Sequence, residues 1–577
     1  MSFETRKTAA RINGLKQYVP LWDWLSHYRF AWLRHDFLAG LTVWAVMVPT
    51  ALAYTGIAGV HPVIGLYTVP LALIGYAVFG TSRSLVVGPD SATALLSAHT
   101  VGLLAVQYSP DYLAATSALA LLVGVLFLAF GLLRMGWMAN FIAQPVMKGF
   151  IQGLTLVTMM TQLPKMFGVG EVAGDFFQRL WALTLELPHT HLLTLSVALG
   201  GLIILFVLAR FLPRIPAALA TVLGAVLVAT IFNLHYRGVA VVGAITTGLP
   251  PFGLPRLPLA HLSTLIQGAL AIVLLNYSES LGAANAAALV TGGKIVPNQE
   301  LVALGVANLG AGLSSGFVVA GSLSQSAVSM DAGGKTQMAE LFQAFFIILT
   351  LLFLMPIFKN LPQAVLGAIV VKAMIHLLDF GYFRKLAAIS KLELSYALTA
   401  FLGVLVLGVL PGVALGVVLS LVVLIYQASH PSTAVLGKMP GHDVYRNIRR
   451  RPEAKTITGL LIFRLDGDLF FANADHCAEQ IKHAIQETAE PVREVLLDFE
   501  TINFIDTTAA EELIKLQAEL AGVNILLCLA RVRDSVREML RRMGVEAAIG
   551  GDHFNDSITQ GVQAFCRRHH KRSPGGH

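Results

Sequence analysis

The chain has 577 residues, of which 55% are hydrophobic and only 13% charged, against roughly a quarter charged in soluble domains. This balance excludes a soluble enzyme, a disordered chain and a nucleic-acid binder, despite a net charge of +7. Juxtamembrane Lys and Arg are the natural home for that excess.

Residues 1–35 are polar and basic, with Arg6, Lys7, Arg11, Lys16, Arg29 and Arg34. They read as a cytoplasmic N-terminal segment with no cleavable signal. Residues 36–430 read as a transport domain embedded in the lipid bilayer. Apolar runs near 37–56, 62–80, 111–133, 190–211, 215–233, 337–356, 391–409 and 411–428 are long enough to span a bilayer. Less clean runs near 89–106, 139–163, 262–290, 298–318, 322–331 and 361–378 are rich in Gly, Ser, Asn and Gln. The total of fourteen predicts a cytoplasmic C-terminus.

The imperfect runs are informative, because interrupted spans at matching places in two halves mark a transporter's binding site. Val86-Val87-Gly88-Pro89-Asp90-Ser91 has a partner in Val318-Val319-Ala320-Gly321-Ser322-Leu323-Ser324-Gln325. Each is a β-branched pair, a glycine suited to a strand-to-helix bend, then a polar helix start. A polar break precedes each: Val48-Pro49-Thr50 lies 38 residues before Gly88, and Ser278-Glu279-Ser280 lies 42 residues before Gly321. The similar separations predict two inverted repeats of seven spans, split near 235–260 at the Pro-rich segment 249–255. The bland alternative is that Gly/Ser patches merely permit close helix packing.

Two half-helix N-termini meeting in mid-membrane would present about +1 charge in total and free N–H donors, an anion site built from backbone. Ser91, Ser322 and Ser324 can add hydroxyls. Glu279 is the most informative single residue, since a carboxylate within an apolar span is costly. Its bland alternative is a structural hydrogen bond to a neighbouring span. Ionised, it would oppose the half-helix field; neutralised by a proton, or beside a sodium ion, it would restore it, so anion and cation would favour each other's binding. Asp90 reads as a structural cap pointing away from the anion. Tyr54, one turn after Thr50, either faces the site or packs.

Residues 431–454 read as a linker and 455–568 as a soluble domain; the tail 569–577 reads as disordered. Cys477, Cys528 and Cys566, with no CxxC pairing, suit a reducing cytosolic compartment. Gly459–Phe463, Leu469–Ala472, Glu494–Phe499 and Val523–Leu529 read as strands; Ala474–Thr488, Thr507–Ala521 and Arg533–Met543 read as helices.

The sequence resembles the sulfate permease (SulP) family of anion transporters. The resemblance rests on Asp36–Thr42, His61–Tyr67, Phe79–Arg83, Asn298–Leu301, Gly321–Val328 and Ala332–Gln337. The soluble domain, with Phe504-Ile505-Asp506-Thr507-Thr508, resembles a STAS domain. The resemblance implies core and gate subdomains and an anion held between the third and tenth spans. Thr50, Tyr54, Gly88, Ser91, Gly321, Ser322, Leu323, Ser324 and Gln325 are then the candidate binding residues, and Glu279 the cation-coupling residue. It further implies a homodimer, a cytoplasmic protein partner for the STAS domain, and a regulatory site at Thr507 or Thr508, where a plain helix cap is the alternative. Many family members have Gln where Thr50 stands and Arg where Gln325 stands.

The resulting expectation is a secondary transporter of the inner or plasma membrane, taking up sulfate with protons. Alternatives are sodium- or proton-coupled bicarbonate or dicarboxylate transport, an uncoupled exchanger or channel, and a membrane-anchored regulator. Nothing in the sequence points to an enzyme, a resident metal or another cofactor.

Overall fold

A strand-to-helix break in mid-span organises the membrane domain. The computed structural model describes residues 19–141, 143–170, 174–212, 216–243, 247–255, 261–375, 377–488 and 490–570. The chain divides into two compact units, 1–420 and 421–577.

In the first unit the spans run in two series. The first comprises α1 (Leu33–Ala58), α2 (Pro62–Phe79), α3 (Ser91–Gly102), α4 (Pro110–Leu132), α5 (Gln144–Phe167), α6 (Leu192–Phe211) and α7 (Ala217–Ile231). The second comprises α8 (Leu262–Thr291), α9 (Pro297–Leu313), α10 (Leu323–Asp331), α11 (Met338–Leu349), α12 (Gln363–Ile375), α13 (Lys391–Leu407) and α14 (Val409–Ser429). In each series the third helix is short and preceded by a strand: β1 (Val86–Pro89) before α3, and β2 (Val319–Ser322) before α10. Each series also places a surface helix between its fifth and sixth members, Phe176–Glu186 and Phe380–Ile389, capped by Asp175 and Asp379.

The third members cannot cross a bilayer as helices alone. α3 has 12 residues and α10 has 9, so they reach about 18 and 14 Å. The four residues of each strand add about 13 Å. Together each pair covers about the 30 Å of a hydrocarbon core.

The two series interleave. α4 and α2 pack on α9, and α1 and α2 pack on α11; separately, α5 packs on α12 and α13, and α6 on α12. One sub-bundle therefore joins α1–α4 with α8–α11, the other α5–α7 with α12–α14. Close approach needs missing side chains: a Cβ on Gly149 of α5 would stand 2.0 Å from the Ala397 carbonyl oxygen on α13. The outward faces of α6 and α7 expose Ile203, Leu227 and Ile231, as lipid-facing helices should.

In the second unit a six-stranded sheet has the order β4-β3-β5-β6-β7-β8. Its strands are β3 (Ser432–Lys438), β4 (Tyr445–Asn447), β5 (Leu460–Asp466), β6 (Glu494–Asp498), β7 (Leu526–Ala530) and β8 (Phe554–Asn555). β5 to β8 run parallel, while β3 is antiparallel to both β4 and β5. α15 (Ala474–Glu487), α16 (Thr507–Gly522) and α17 (Asp534–Arg542) share a core with one face. α18 (Ile558–His570) covers the other through Ile558 and Phe565, and Arg568 Nη2 donates to the buried Glu494 carboxylate at 2.7 Å.

Three expectations need correction. The segment 431–454 is not a linker, because β3 and β4 complete the sheet there. Leu469–Ala472 is not a strand: Leu469 makes one bridge to Ile505, and Phe471 is exposed. His569 and His570 continue α18 instead of opening a disordered tail; 571–577 lie outside the described residues.

A fragment beginning at residue 431 should therefore be soluble and monomeric. One beginning at 455 bares the β5 edge that pairs with β3 and should aggregate. Size-exclusion chromatography of the two fragments checks this.

Candidate functional site

β1 and β2 pair antiparallel, with Val86 opposite Ser322, Val87 opposite Gly321, Gly88 opposite Ala320 and Pro89 opposite Val319. A two-stranded ribbon leaves each outer edge unpaired, and unpaired backbone within a membrane is tolerated only where protein satisfies it. Side chains supply the partners. Asn276 Nδ2 on α8 donates to the Val319 carbonyl at 2.7 Å. Asn308 on α9 donates to the same carbonyl at 3.1 Å and accepts from Val319 N–H at 3.0 Å. Ser280 Oγ accepts from Gly321 N–H at 2.8 Å and donates to Asn276 Oδ1 at 2.9 Å. Ser326 Oγ accepts from Val86 N–H at 2.9 Å.

Two carboxylates pin the turns on one side of the ribbon, where β1 is entered and α10 ends. Buried Glu300 at the start of α9 accepts from Tyr76 Oη at 2.6 Å and from Thr81 N–H at 2.8 Å, fixing the turn before β1. Buried Asp36 in α1 accepts from Lys335 N–H at 2.6 Å and Thr336 Oγ1 at 2.7 Å, fixing the turn after α10. Gln299 and Gln337 add amide bonds to the Phe79 and Ser82 carbonyls.

The candidate residues then fall into place unevenly. Ser322 caps α10, its Oγ accepting from Gln325 N–H at 3.4 Å and lying 3.2 Å from Ser324 Oγ. Leu323 and Ser324 are exposed at that helix start. Gln325 is buried, and its Oε1 has no partner among the described residues; it would stand 3.7 Å from a Cβ on Gly88. That Cβ would also meet Met47 Cε at 2.5 Å, so a side chain there would push the Met47 thioether aside. Gly321 and Ser91 are buried at the two ends of the ribbon.

Thr50 does not offer its proton to the site. Pro49 breaks the backbone pattern of α1, and Thr50 Oγ1 donates to the Val46 and Met47 carbonyls at 2.9 and 3.1 Å. Asp90 is a helix cap: its Oδ2 accepts from Ala92 N–H at 2.8 Å. This also makes the half-helices unequal. The α3 start is occupied by a carboxylate, while the α10 start is capped by a neutral hydroxyl. Tyr54 is buried, and Asp90 and Glu279 lie within electrostatic reach of its phenol and of one another. Glu279 is half-buried, with no side-chain hydrogen bond or ion pair among the described residues. Asn308 escaped the sequence reading; its only signal was an amide in the middle of an apolar, Gly-rich span.

In the second unit Thr507 and Thr508 are exposed at the start of α16, where Asp506 Oδ1 accepts from Ala509 N–H at 2.8 Å. Burial pushes the Cys477 thiol up to about 11.

Comparison with known proteins fixes the family. The sulfate permease family matches over residues 33–400 and the STAS domain over 451–560. The chain belongs to the sulfate permease family. It is a multi-pass membrane transporter and not an enzyme. A protein described as a probable sulfate transporter of Mycobacterium tuberculosis is 35% identical over 541 residues, 94% of this chain and 97% of that one. The structure of murine Slc26a9, an anion transporter in its inward-facing state, superposes with a TM-score of 0.88 at 24% identity, covering 96% of this chain and 95% of that one. The transmembrane domain of a cyanobacterial bicarbonate transporter, BicA, gives a TM-score of 0.61 at 24% identity, over 68% of this chain and 98% of that one.

Ser324 is exposed at the α10 start, so Ser324→Ala should weaken anion binding by about 0.5–1.5 kcal/mol, the worth of one neutral hydrogen bond. Thermal stability should not change. Calorimetric titration of the purified protein beside a melting curve measures both.

Proposed function

We propose that this protein is a secondary active anion transporter that carries sulfate together with a proton, binding the anion at the start of α10 and the proton at Glu279. The observation that carries the reading is a charge balance. The two half-helix N-termini supply about +1 in total. Asp90 and Glu279, both ionised, would supply −2 beside them. The ionised site would therefore repel an anion; one proton on Glu279 brings the sum to about zero, removes that repulsion and leaves the donors at the α10 start to hold the anion.

Glu279 suits that addition better than Asp90. Asp90 already accepts from the α3 backbone. Glu279 has no such partner among the described residues, so its carboxylate oxygens stay available for a proton. Proton and anion binding then assist each other, and by linkage the assistance is mutual. Sulfate is the preferred cargo because the 35%-identical relative carries that description over nearly the whole chain. Donors drawn largely from backbone and serine hydroxyls suit an oxyanion that accepts from several directions.

Glu279→Gln keeps the size and hydrogen-bonding capacity of the neutral acid but cannot ionise. In proteoliposomes this variant should bind sulfate with less pH dependence than the wild type and should retain sulfate–sulfate exchange. It should fail to accumulate sulfate under an imposed proton gradient. Normal proton-driven accumulation by the variant would remove Glu279 from the coupling role. Wild-type accumulation driven by sodium and insensitive to pH would replace the proton with a metal ion.

A further inference from the structure

The start of α11 holds an unbalanced set of buried hydrogen-bonding atoms. Glu340, in its first turn, is 2% exposed, and neither carboxylate oxygen has a partner among the described residues. The same is true of Gln337 Oε1 at the helix cap and of Gln343 Nε2 one turn after Glu340; both side chains are 1% exposed. Residues 337, 340 and 343 follow at intervals of three, so each is the neighbour of the next along the helix. The Gln337 side chain lies against the Glu340 carboxylate. Three orphaned acceptors therefore accompany one orphaned donor, where buried polar groups are otherwise paired.

Gln337 cannot supply the missing donor. Its Nε2 donates to the Ser82 carbonyl at 2.6 Å and to the Leu85 carbonyl at 3.3 Å. Those bonds use both amide hydrogens and leave Oε1 as an acceptor. The surroundings supply no cation either. α11 packs on α1 and α2, and the buried ionisable groups from these helices and α9 are Asp36, Tyr76 and Glu300. Asp36 is taken by the backbone of Lys335 and the hydroxyl of Thr336. Glu300 accepts from Tyr76 Oη at 2.6 Å and from the N–H groups of Thr81 and Ser82 at 2.8 and 3.2 Å. Glu300 and Tyr76 both lie within electrostatic reach of Glu340. Arg34, His35, Arg83, Asp331 and Lys335, on the neighbouring turns, are exposed. No Lys, Arg or His is buried among the described residues.

We propose that Glu340 is a second buried proton site, separate from Glu279, and that its proton fastens α11 to the turn that feeds β1. A proton on one oxygen turns that acceptor into a donor for Gln337 Oε1. The other oxygen then accepts from Gln343 Nε2. One proton thus completes a line from Gln343 through Glu340 and Gln337 to the Ser82 and Leu85 carbonyls, and all four orphaned atoms gain a partner. Ionised, the same carboxylate would set acceptor against acceptor within reach of a second carboxylate, and the tie to the turn would be lost. The site stands whether or not Glu279 couples transport to protons.

The test is infrared difference spectroscopy on the purified full-length protein, which separates the C=O stretch of a carboxylic acid from the bands of a carboxylate. At neutral pH, wild type minus Glu340→Gln should show the loss of one carboxylic-acid band. That band should persist in Glu279→Gln protein, which keeps the two sites apart. Glu340→Gln offers an amide N–H to Gln337 and a carbonyl to Gln343, so it should melt no lower than the wild type. Glu340→Leu, similar in size but without polar atoms, should melt lower, because it leaves Gln337 Oε1 and Gln343 Nε2 orphaned. Loss of carboxylate bands instead of an acid band in wild type minus Glu340→Gln would overturn the proton site. Failure of Glu340→Gln to fold would overturn it too, since the amide reproduces each bond of the neutral acid.

Discussion

The membrane unit is organised around one requirement: eight residues of strand must be buried in the middle of a bilayer with no backbone group left unpaired. Water is absent there, and each orphaned N–H or C=O costs several kcal/mol. Pairing β1 with β2 meets half of the need. Asn276, Asn308 and Ser280 serve the outer edge of β2, and Ser326 serves the first N–H of β1. The polar residues that looked like flaws in α8, α9 and α10 are thus the ribbon's missing partners. The ribbon in turn lets two helices begin in mid-membrane, which is the source of the positive potential. The carboxylates of Glu300 and Asp36 both fix turns on one side of the ribbon, where β1 is entered and α10 ends.

Much of this arrangement was legible in the sequence, and the reasons are specific. Gly88 and Gly321 announced the breaks because each followed a β-branched pair and preceded a polar helix start. Glu279 stood out because no loop reading fits a carboxylate flanked by apolar residues on both sides. The segments that carried the family resemblance turn out to meet in space: Asp36 reaches Lys335 and Thr336, and Glu300 reaches Thr81. What could not be read was pairing. The bond from Asn276 to the Val319 carbonyl crosses 43 positions. Thr50 was assigned to the anion from the family pattern, yet its hydroxyl bonds back to the Val46 and Met47 carbonyls of its own helix.

The soluble unit was misread for a related reason. β3 alternates only weakly in burial and pairs with a strand some thirty residues later; without that partner its polar surroundings look like a tether. Leu469–Phe471 is apolar enough to resemble a strand, but it turns so that the Phe471 N–H reaches Asp506 at 2.8 Å. That bond and the cap on Ala509 use both oxygens of Asp506, which rigidifies the start of α16 beneath Thr507.

Unequal half-helices carry the functional argument. Asp90 offsets the α3 start, so the α10 start is left as the stronger attraction for an anion, and the exposed hydroxyl of Ser324 stands there. The most direct test is a structure determined with selenate, a sulfate analogue locatable by its anomalous signal. Bound selenate should appear between the N–H groups at the start of α10 and the ribbon, within hydrogen-bonding distance of Ser324 Oγ. Well-occupied selenate elsewhere in the membrane unit, with none at the start of α10, would contradict the account.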